Sequence, residues 1–295
     1  MKIKFWGVRG SIATPGPSTV RHGGNTTCIE VRTDSNALII LDAGTGIFPL
    51  ALTLFPELPL TAHLFITHTH WDHIQGLPFF IPNFIPGNTL KIFGAFDPVG
   101  RRDIREALTT QLQYAFFPVR EAELKASLEY VTLREGESVQ VADATVTNLL
   151  MNHPVLNFGY RIECNGKSVI FTGDHEHLGN IYAPDDPEFD EYERLIQQKN
   201  QAIVDFVRGV DVLIADTSYT VQEYPTKIGW GHGTFDANIA LARQAGVKTL
   251  FFTHHEPTRS DGVLEKVFLE ALERNSAQPG DPQFLLASEG LVFEV

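Results

Sequence analysis

Residues 68–73 read His68-Thr69-His70-Trp71-Asp72-His73, directly after the strand-like run His63-Leu64-Phe65-Ile66-Thr67. In an extended segment side chains alternate, so His68 and His70 share a face and one metal ion can take both. Trp71-Asp72-His73 must then turn, and Ile74-Gln75-Gly76-Leu77 reads as the first turn of a helix. Asp72 and His73 therefore project elsewhere and suit a second, neighbouring ion.

The same arrangement recurs along the chain. Leu38-Ile39-Ile40-Leu41 ends in Asp42, the run to Asn152 ends in His153, and Val169-Ile170-Phe171-Thr172-Gly173 ends in Asp174. Val212-Leu213-Ile214-Ala215 ends in Asp216, and Leu250-Phe251-Phe252-Thr253 ends in His254-His255. A His or Asp that closes a strand is commonly just a turn or cap residue. Six strands that all do so can bring those groups together, because loops on one edge of a sheet converge and ligands bind there.

Strands are expected at Ile3–Trp6, Thr27–Arg32, Ala37–Leu41, Ala62–Ile66, Leu90–Phe93, Ser138–Val141, Thr145–Leu150, Gly159–Glu163, Ser168–Phe171, Val212–Ala215, Thr249–Phe252 and Phe284–Ala287. Helices are expected at Ile47–Phe55, Arg101–Gln113, Glu191–Val207, Phe235–Ala245, stopped by Gly246, and Leu264–Arg274. Strand clusters separated by helices predict sheets covered by helices, an α/β sandwich. With 295 residues, 43% of them hydrophobic, and no linker tract, residues 1–295 read as one compact domain. The start, Met1 to Gly7, has no apolar stretch of signal-peptide length, which predicts a soluble, cytoplasmic protein away from membranes. Cys28 and Cys164 lie in strand-like stretches and read as reduced core thiols. Thirty-six acidic against 23 basic residues give a formal charge of -13. That balance argues against a long nucleic-acid footprint; a small anion at a metal pair is a different matter.

An Asp after the early strand, the H-x-H-x-D-H cluster, then His, Asp and His after successive strands resemble the metallo-β-lactamase superfamily over nearly the whole chain. The resemblance implies a four-layer αββα sandwich with a dinuclear metal site at one sheet edge. By it His68, His70 and His153 would hold the first ion, Asp72, His73 and His254 the second, and Asp174 would bridge them, with Asp42 buttressing the cluster. Such ligands suit zinc first, and also manganese or iron. Ala215-Asp216-Thr217, Gly231-His232-Gly233-Thr234 and the run from Ala245 to His254 resemble the ribonuclease Z type of phosphodiesterase. There an acidic residue of an E-A-T motif pairs with the His of an H-S-T motif near the scissile phosphate. Here Asp216 stands for Glu and Gly233 for Ser, so the pair Asp216–His232 is one methylene shorter. Gly7-Val8-Arg9-Gly10-Ser11 and Gly23-Gly24-Asn25-Thr26-Thr27-Cys28 resemble bacterial cyclic-nucleotide and cyclic-phosphate hydrolases of that branch. The Gly/Pro-rich basic arm that grips tRNA has no counterpart, and Tyr182–Glu193 is acidic instead.

The expected reaction is hydrolysis of a small phosphodiester, a cyclic nucleotide or cyclic phosphate, by hydroxide shared between the two ions. Two divalent ions offset by Asp72, Asp174 and hydroxide leave a site charge of about +1, which favours a phosphate. Asp72 would orient or deprotonate the nucleophile, and His232, made imidazolium by Asp216, would donate to a phosphate oxygen or to the leaving alkoxide. The alternatives are a tRNA 3′-processing activity, or thioester or lactone hydrolysis on the same metals, which has no use for the Asp216–His232 pair. Spacing leaves His254 and His255 both open as the ligand, with His254 preferred by the resemblance. His175 and His177 are alternates, and His22 and His63 read as ordinary surface or loop residues. Asn25 and Thr26 could reach a phosphate, although a turn needs no ligand to explain them. Leu77–Pro86 with Tyr114, Phe116 and Phe117 could wall a nucleobase site, core packing being the commoner explanation. A homodimer is compatible with all of this.

Overall fold

In the computed structural model, which describes residues 1–295, period-two alternation sorts each buried strand between two cores. β1 (Lys2–Gly7), β2 (Cys28–Arg32), β3 (Leu38–Leu41), β4 (Thr61–Phe65), β5 (Thr89–Ala95), β6 (Ser127–Leu133) and β14 (Val292–Glu294) form one sheet in the order β14-β1-β2-β3-β4-β5-β6. β7 (Ser138–Val141), β8 (Ala144–Met151), β9 (Asn157–Cys164), β10 (Lys167–Phe171), β11 (Val212–Asp216), β12 (Thr249–Thr253) and β13 (Gln283–Leu286) form the second, in the order β13-β12-β11-β10-β9-β8-β7.

Ile39 and Leu41 of β3, Phe65 of β4, Val169 and Phe171 of β10 and Ile214 of β11 point into the shared core between the sheets. Their neighbours Leu38, Ile40 and Leu64 face outward onto α1 (Ile47–Thr53) and α3 (Ile104–Thr109). On the other side Ile170, Leu213, Leu250 and Phe252 meet α4 (Phe189–Val207), α5 (Phe235–Ala245) and α6 (Asp261–Arg274). Strands buried on both faces must be apolar throughout, and these are the continuous Val/Ile/Leu/Phe runs. Helix, sheet, sheet, helix is the four-layer αββα sandwich that the family resemblance implied. β3 to β6 run parallel, as do β10 to β13, so their carboxyl ends gather on one edge. At that edge the Tyr160 hydroxyl of β9 donates to the Ile66 carbonyl at 2.7 Å and ties the two sheets together.

Several local expectations change. The helix after His70 begins at Trp71, not Ile74: α2 (Trp71–Ile74) has the extended His70 as N-cap, so Asp72 and His73 sit in its first turn. A tight single turn lets two adjacent side chains fan into one site. α3 is shorter than Arg101–Gln113 because a capping box between Asp103 and Glu106 sets its start and a 3-10 turn, Thr110–Leu112, ends it. His63 lies within β4, stacked beside Phe93, rather than in a loop, and His22 is buried between Ser288 and Glu265 rather than on the surface. Cys28 and Cys164 are buried in the strands of different sheets. No helix is long and apolar enough to cross a membrane.

Candidate metal centre

The carboxyl-edge loops bring the sequence-predicted residues together in two groups that share Asp174. His68, His70, His153 and Asp174 each offer one ligand atom, all within 4.8 Å of one another, and Asp72, His73, Asp174 and His254 do the same. A third such group, Asp174, Asp216, His232 and His254, makes the Asp216–His232 pair contiguous with the other two.

Hydrogen bonds from the far side of the rings set which nitrogen faces inward. His73 Nδ1 donates to Asp42 Oδ2 at 2.7 Å, leaving Nε2 at 3.3 Å from Asp72 Oδ2 and 3.2 Å from Asp174 Oδ1. His153 Nδ1 donates to the Gly231 carbonyl at 3.0 Å, and its Nε2 faces His70 Nδ1 at 3.2 Å. Thr67 Oγ1 already donates to Asp42 Oδ2, so it accepts from His68 Nδ1 at 3.1 Å and turns His68 Nε2 toward Asp174 Oδ2, 3.5 Å away. His254 Nδ1 faces Ser218 Oγ at 3.0 Å, and its Nε2 lies 3.1 Å from Asp72 Oδ2 and 3.2 Å from Asp174 Oδ1. Four imidazoles thus have Nδ1 held by an oxygen and Nε2 turned to a common interior, the outer-partner arrangement that orients His toward a metal. Asp42 is the hub on one side, accepting also from the Thr67 amide at 2.7 Å. Ser218 is the hub on the other, within 2.9 Å of Asp216 Oδ1 and of the His254 carbonyl oxygen.

The backbone is bent to this purpose. Asp42 and His254 both adopt left-handed φ, 62° and 57°, which non-glycine residues take up only where their surroundings hold them there. A Cβ on Gly10 would sit 2.4 Å from the His254 ring, and one on Gly231, already at φ +87°, would sit 2.1 Å from His153 Nδ1. Glycine is required where backbone packs this closely on an imidazole.

The donor set fits divalent cations. His68 Nε2 and Asp174 Oδ1 are buried and make no hydrogen bond, a costly state for polar atoms unless something else engages them. Burial holds His68, His70 and His153 below the usual His range, with neighbouring imidazoles adding to the effect, so their inward nitrogens keep free lone pairs. For His73 and His254 burial pulls the same way, but Asp174 with Asp72 and Asp42, or with Asp216, overcomes it and raises both. A compact nest of carboxylates stabilises positive charge at that point, whether it is carried by protons or by a metal.

His232 Nδ1 donates to Asp216 Oδ2 at 2.9 Å, and the ring lies parallel to that of His254 with centroids 4.9 Å apart. Burial opposes its charge, yet Asp216 and Asp174 raise it above the usual His value. Burial pushes Asp216 up, and His232 with His254 more than compensates, bringing it to about 2. One methylene fewer than Glu therefore does not prevent the contact.

Other candidates fall outside the centre. His255 Nε2 donates to the Ala287 carbonyl at 2.9 Å, away from both groups. His175 Nδ1 accepts from the Asn152 amide at 3.2 Å, and His177 Nε2 faces Asn200 at 3.4 Å. Asn25 is committed to Glu289 and Thr45, and Thr26 to Thr45. In the apolar run Leu77 and Phe80 are core, whereas Phe79 is exposed and packs edge-on against Phe117 at 5.3 Å. Thr67 and Ser218 carried no expectation of their own, and Gly10 and Gly231 stood only as members of the Gly7–Ser11 and Gly231–Thr234 motifs; the neighbours Thr67-His68 and Asp216-Thr217-Ser218 were the available signal.

A family model described as the β-lactamase superfamily domain matches residues 38–255. The chain is 23% identical over 283 residues to a ribonuclease Z of Staphylococcus haemolyticus, covering 86% of this chain and 88% of that one. It superposes on the metallo-β-lactamase fold protein YhfI of Bacillus subtilis with a TM-score of 0.69 at 19% identity, covering 99% of each chain. A diphosphatase of the PhnP family gives 0.64 at 18%, covering 100% of this chain and 97% of that one. Similarity to a ribonuclease Z along most of its length conflicts with the exclusion of long nucleic acid drawn from net charge. With the family model spanning residues 38–255 and His and Asp grouped as candidate metal ligands at the sheet edge, the protein is a hydrolase of the metallo-β-lactamase superfamily.

Proposed function

We propose that residues 1–295 form one hydrolase domain that cleaves a phosphodiester bond of a small substrate, such as a cyclic nucleotide or cyclic phosphate. The observation that carries this reading is the 2.9 Å contact between Asp216 and His232, contiguous with the two clustered groups. A thioester or lactone hydrolase would have no use for it.

Two divalent ions, zinc before manganese or iron, would be held by His68, His70 and His153 on one side and Asp72, His73 and His254 on the other, with Asp174 between. When bound they supply concentrated positive charge and lower the pKa of a water between them toward neutrality. The chain's own part is positioning and proton handling. Asp72 Oδ2 is pinned by the Ser11 amide at 2.7 Å, which holds the carboxylate facing the interior where it can orient a water. Asp216 keeps a proton on His232 Nδ1 and raises its affinity for a second, so Nε2–H can donate to a phosphoryl oxygen or to the departing alkoxide. The His232 side chain is still 13% exposed, enough to meet a substrate.

Metal analysis together with turnover of bis(p-nitrophenyl) phosphate tests the reading. Two equivalents of metal with metal-dependent release of p-nitrophenol are expected; a fully metallated, inert protein would refute it. The ribonuclease Z similarity favours a second reading, removal of a 3′ extension from a tRNA precursor. Cleavage of a tRNA precursor at physiological salt, with cyclic nucleotides left intact, would establish that reading in place of the first.

A further inference from the structure

A cleft of about 660 Å³ opens beside the metal centre, sharing His153 and Gly231 with it. Its far walls come from the segment after Asp174, from α4 and from the loop before His232, and they include Leu178, Ile181, Tyr192, Tyr224 and Ile228. The volume lies in the range of small-molecule sites.

Its charge is unusual for a hydrolase of phosphates. No lysine or arginine is among the residues that line it. Its one carboxylate, Glu176, is buried and already committed: Oε1 accepts from the Tyr224 hydroxyl at 2.7 Å and the Gly229 amide at 2.8 Å, and Oε2 from the Gly231 amide at 2.7 Å. Those bonds fix the loop that carries His232 and leave neither carboxylate oxygen without a partner. What remains is two tyrosine rings, aliphatic side chains and the polar edges of Asn152 and His177. Such a lining takes an uncharged, flat group with polar edges, stacked on aromatic faces; a second phosphate would find no cation there.

We infer that this cleft seats the nucleobase and sugar of the substrate while its phosphate lies at the metal centre. The inference rests on the phosphodiesterase reading for the phosphate alone. A second cleft, of about 500 Å³, opens on the other side of His153 and is lined by Phe96, Val99 and Arg102. Its charged side chains, Asp97 and Arg102, set its lining apart from that of the first cleft, and it supplies a control.

The test compares adenosine and uridine 5′-monophosphates with inorganic phosphate, measured by calorimetry on the zinc-loaded protein and as inhibitors of bis(p-nitrophenyl) phosphate turnover. The better nucleotide should bind at least tenfold more tightly than phosphate. Tyr192→Ala and Ile228→Ala should each erase most of that advantage without changing phosphate binding, whereas Phe96→Ala should leave it intact. Ile228 is 60% exposed, so its variant keeps the core even if Tyr192→Ala fails to fold. Equal binding of nucleotide and phosphate, or an advantage that survives in Ile228→Ala, or one that is lost only in Phe96→Ala, overturns the inference while leaving turnover of the simple diester untouched. Absence of turnover with a cleft-dependent nucleotide advantage would instead remove the phosphodiesterase reading and keep the cleft.

Discussion

Asp42 and His73 lie 31 residues apart in sequence and 2.7 Å apart in the fold, both fully buried, with the Asp42 carboxylate accepting the Nδ1 proton of the imidazole. The bond reaches from the end of β3 to the first turn of α2 and decides which His73 nitrogen faces the centre. Asp42→Ala would leave that N–H and the Thr67 amide buried without partners. Removing one member of a buried pair costs about 3–5 kcal/mol, and loss of an outer partner lowers metal affinity about 10–100-fold. Chelator competition and denaturant unfolding of Asp42→Ala should show both losses, with Asp42→Asn losing less because it retains an acceptor oxygen. Unchanged zinc affinity in Asp42→Ala would show that Asp42 does not orient His73.

Ser218 plays the corresponding part for His254. Ser218→Ala removes the oxygen nearest His254 Nδ1 and frees the ring to turn. Zinc affinity is expected to fall about tenfold, at the lower end for an outer partner because Asp216 Oδ1 lies 3.4 Å from the same nitrogen and can take over. Ser218→Thr, which restores the hydroxyl, should recover most of it. The measurement is zinc stoichiometry and affinity on the purified variants, independent of turnover.

Gly231→Ala should be more damaging than its size suggests. The added methyl meets His153 and its neighbour Pro154 within 2.5 Å, and φ of +87° is strained for any L residue. Loss of one equivalent of metal and at least a hundredfold fall in kcat/KM are expected, whereas Gly136→Ala, also at positive φ but with open space around its Cβ position, should cost only backbone strain of about 1–3 kcal/mol. Metal analysis of the two variants side by side separates a clash at His153 from strain alone.

Chelation should lower thermal stability as well as activity. Ions that bind the folded chain and not the unfolded one stabilise it in proportion to the logarithm of their excess over Kd, and their removal leaves the carboxylates and imidazoles of the centre without a shared partner. A drop of several degrees in Tm on adding a chelator, reversed by zinc, is the expected result in differential scanning calorimetry. An unchanged Tm at saturating zinc would mean that the clustered groups do not bind it.

Most of the architecture was legible because strands buried on both faces must be apolar and because polar residues close them. The two strands that escaped, β6 and β14, are the two edges of the first sheet. Edge strands face water and carry fewer apolar residues: β6 is largely exposed from Ser127 to Thr132 and β14 is only three residues long. The inward-facing groups of the centre were legible for the same reason the strands were. What was not legible is the outer layer of oxygens from Thr67, Ser218 and Gly231, since nothing in a sequence says which hydroxyl or carbonyl will end up behind an imidazole. The choice of His254 over His255 also waited for the fold, where left-handed backbone at His254 turns one ring inward and leaves the other to Ala287.

The measurement that bears most directly on the central claim is the effect of His232→Ala on two reactions of the zinc-loaded protein. Hydrolysis of bis(p-nitrophenyl) phosphate should fall about 10²–10⁴-fold, the usual worth of a positioned proton donor, and Asp216→Asn should add little to it because the two act as one unit. Hydrolysis of an activated carboxylic or thioester, which needs the ions but no phosphate partner, should stay within a few-fold of wild type. An equal loss in both reactions, or no loss in the first, would contradict the assignment of His232 and Asp216 to a phosphodiester.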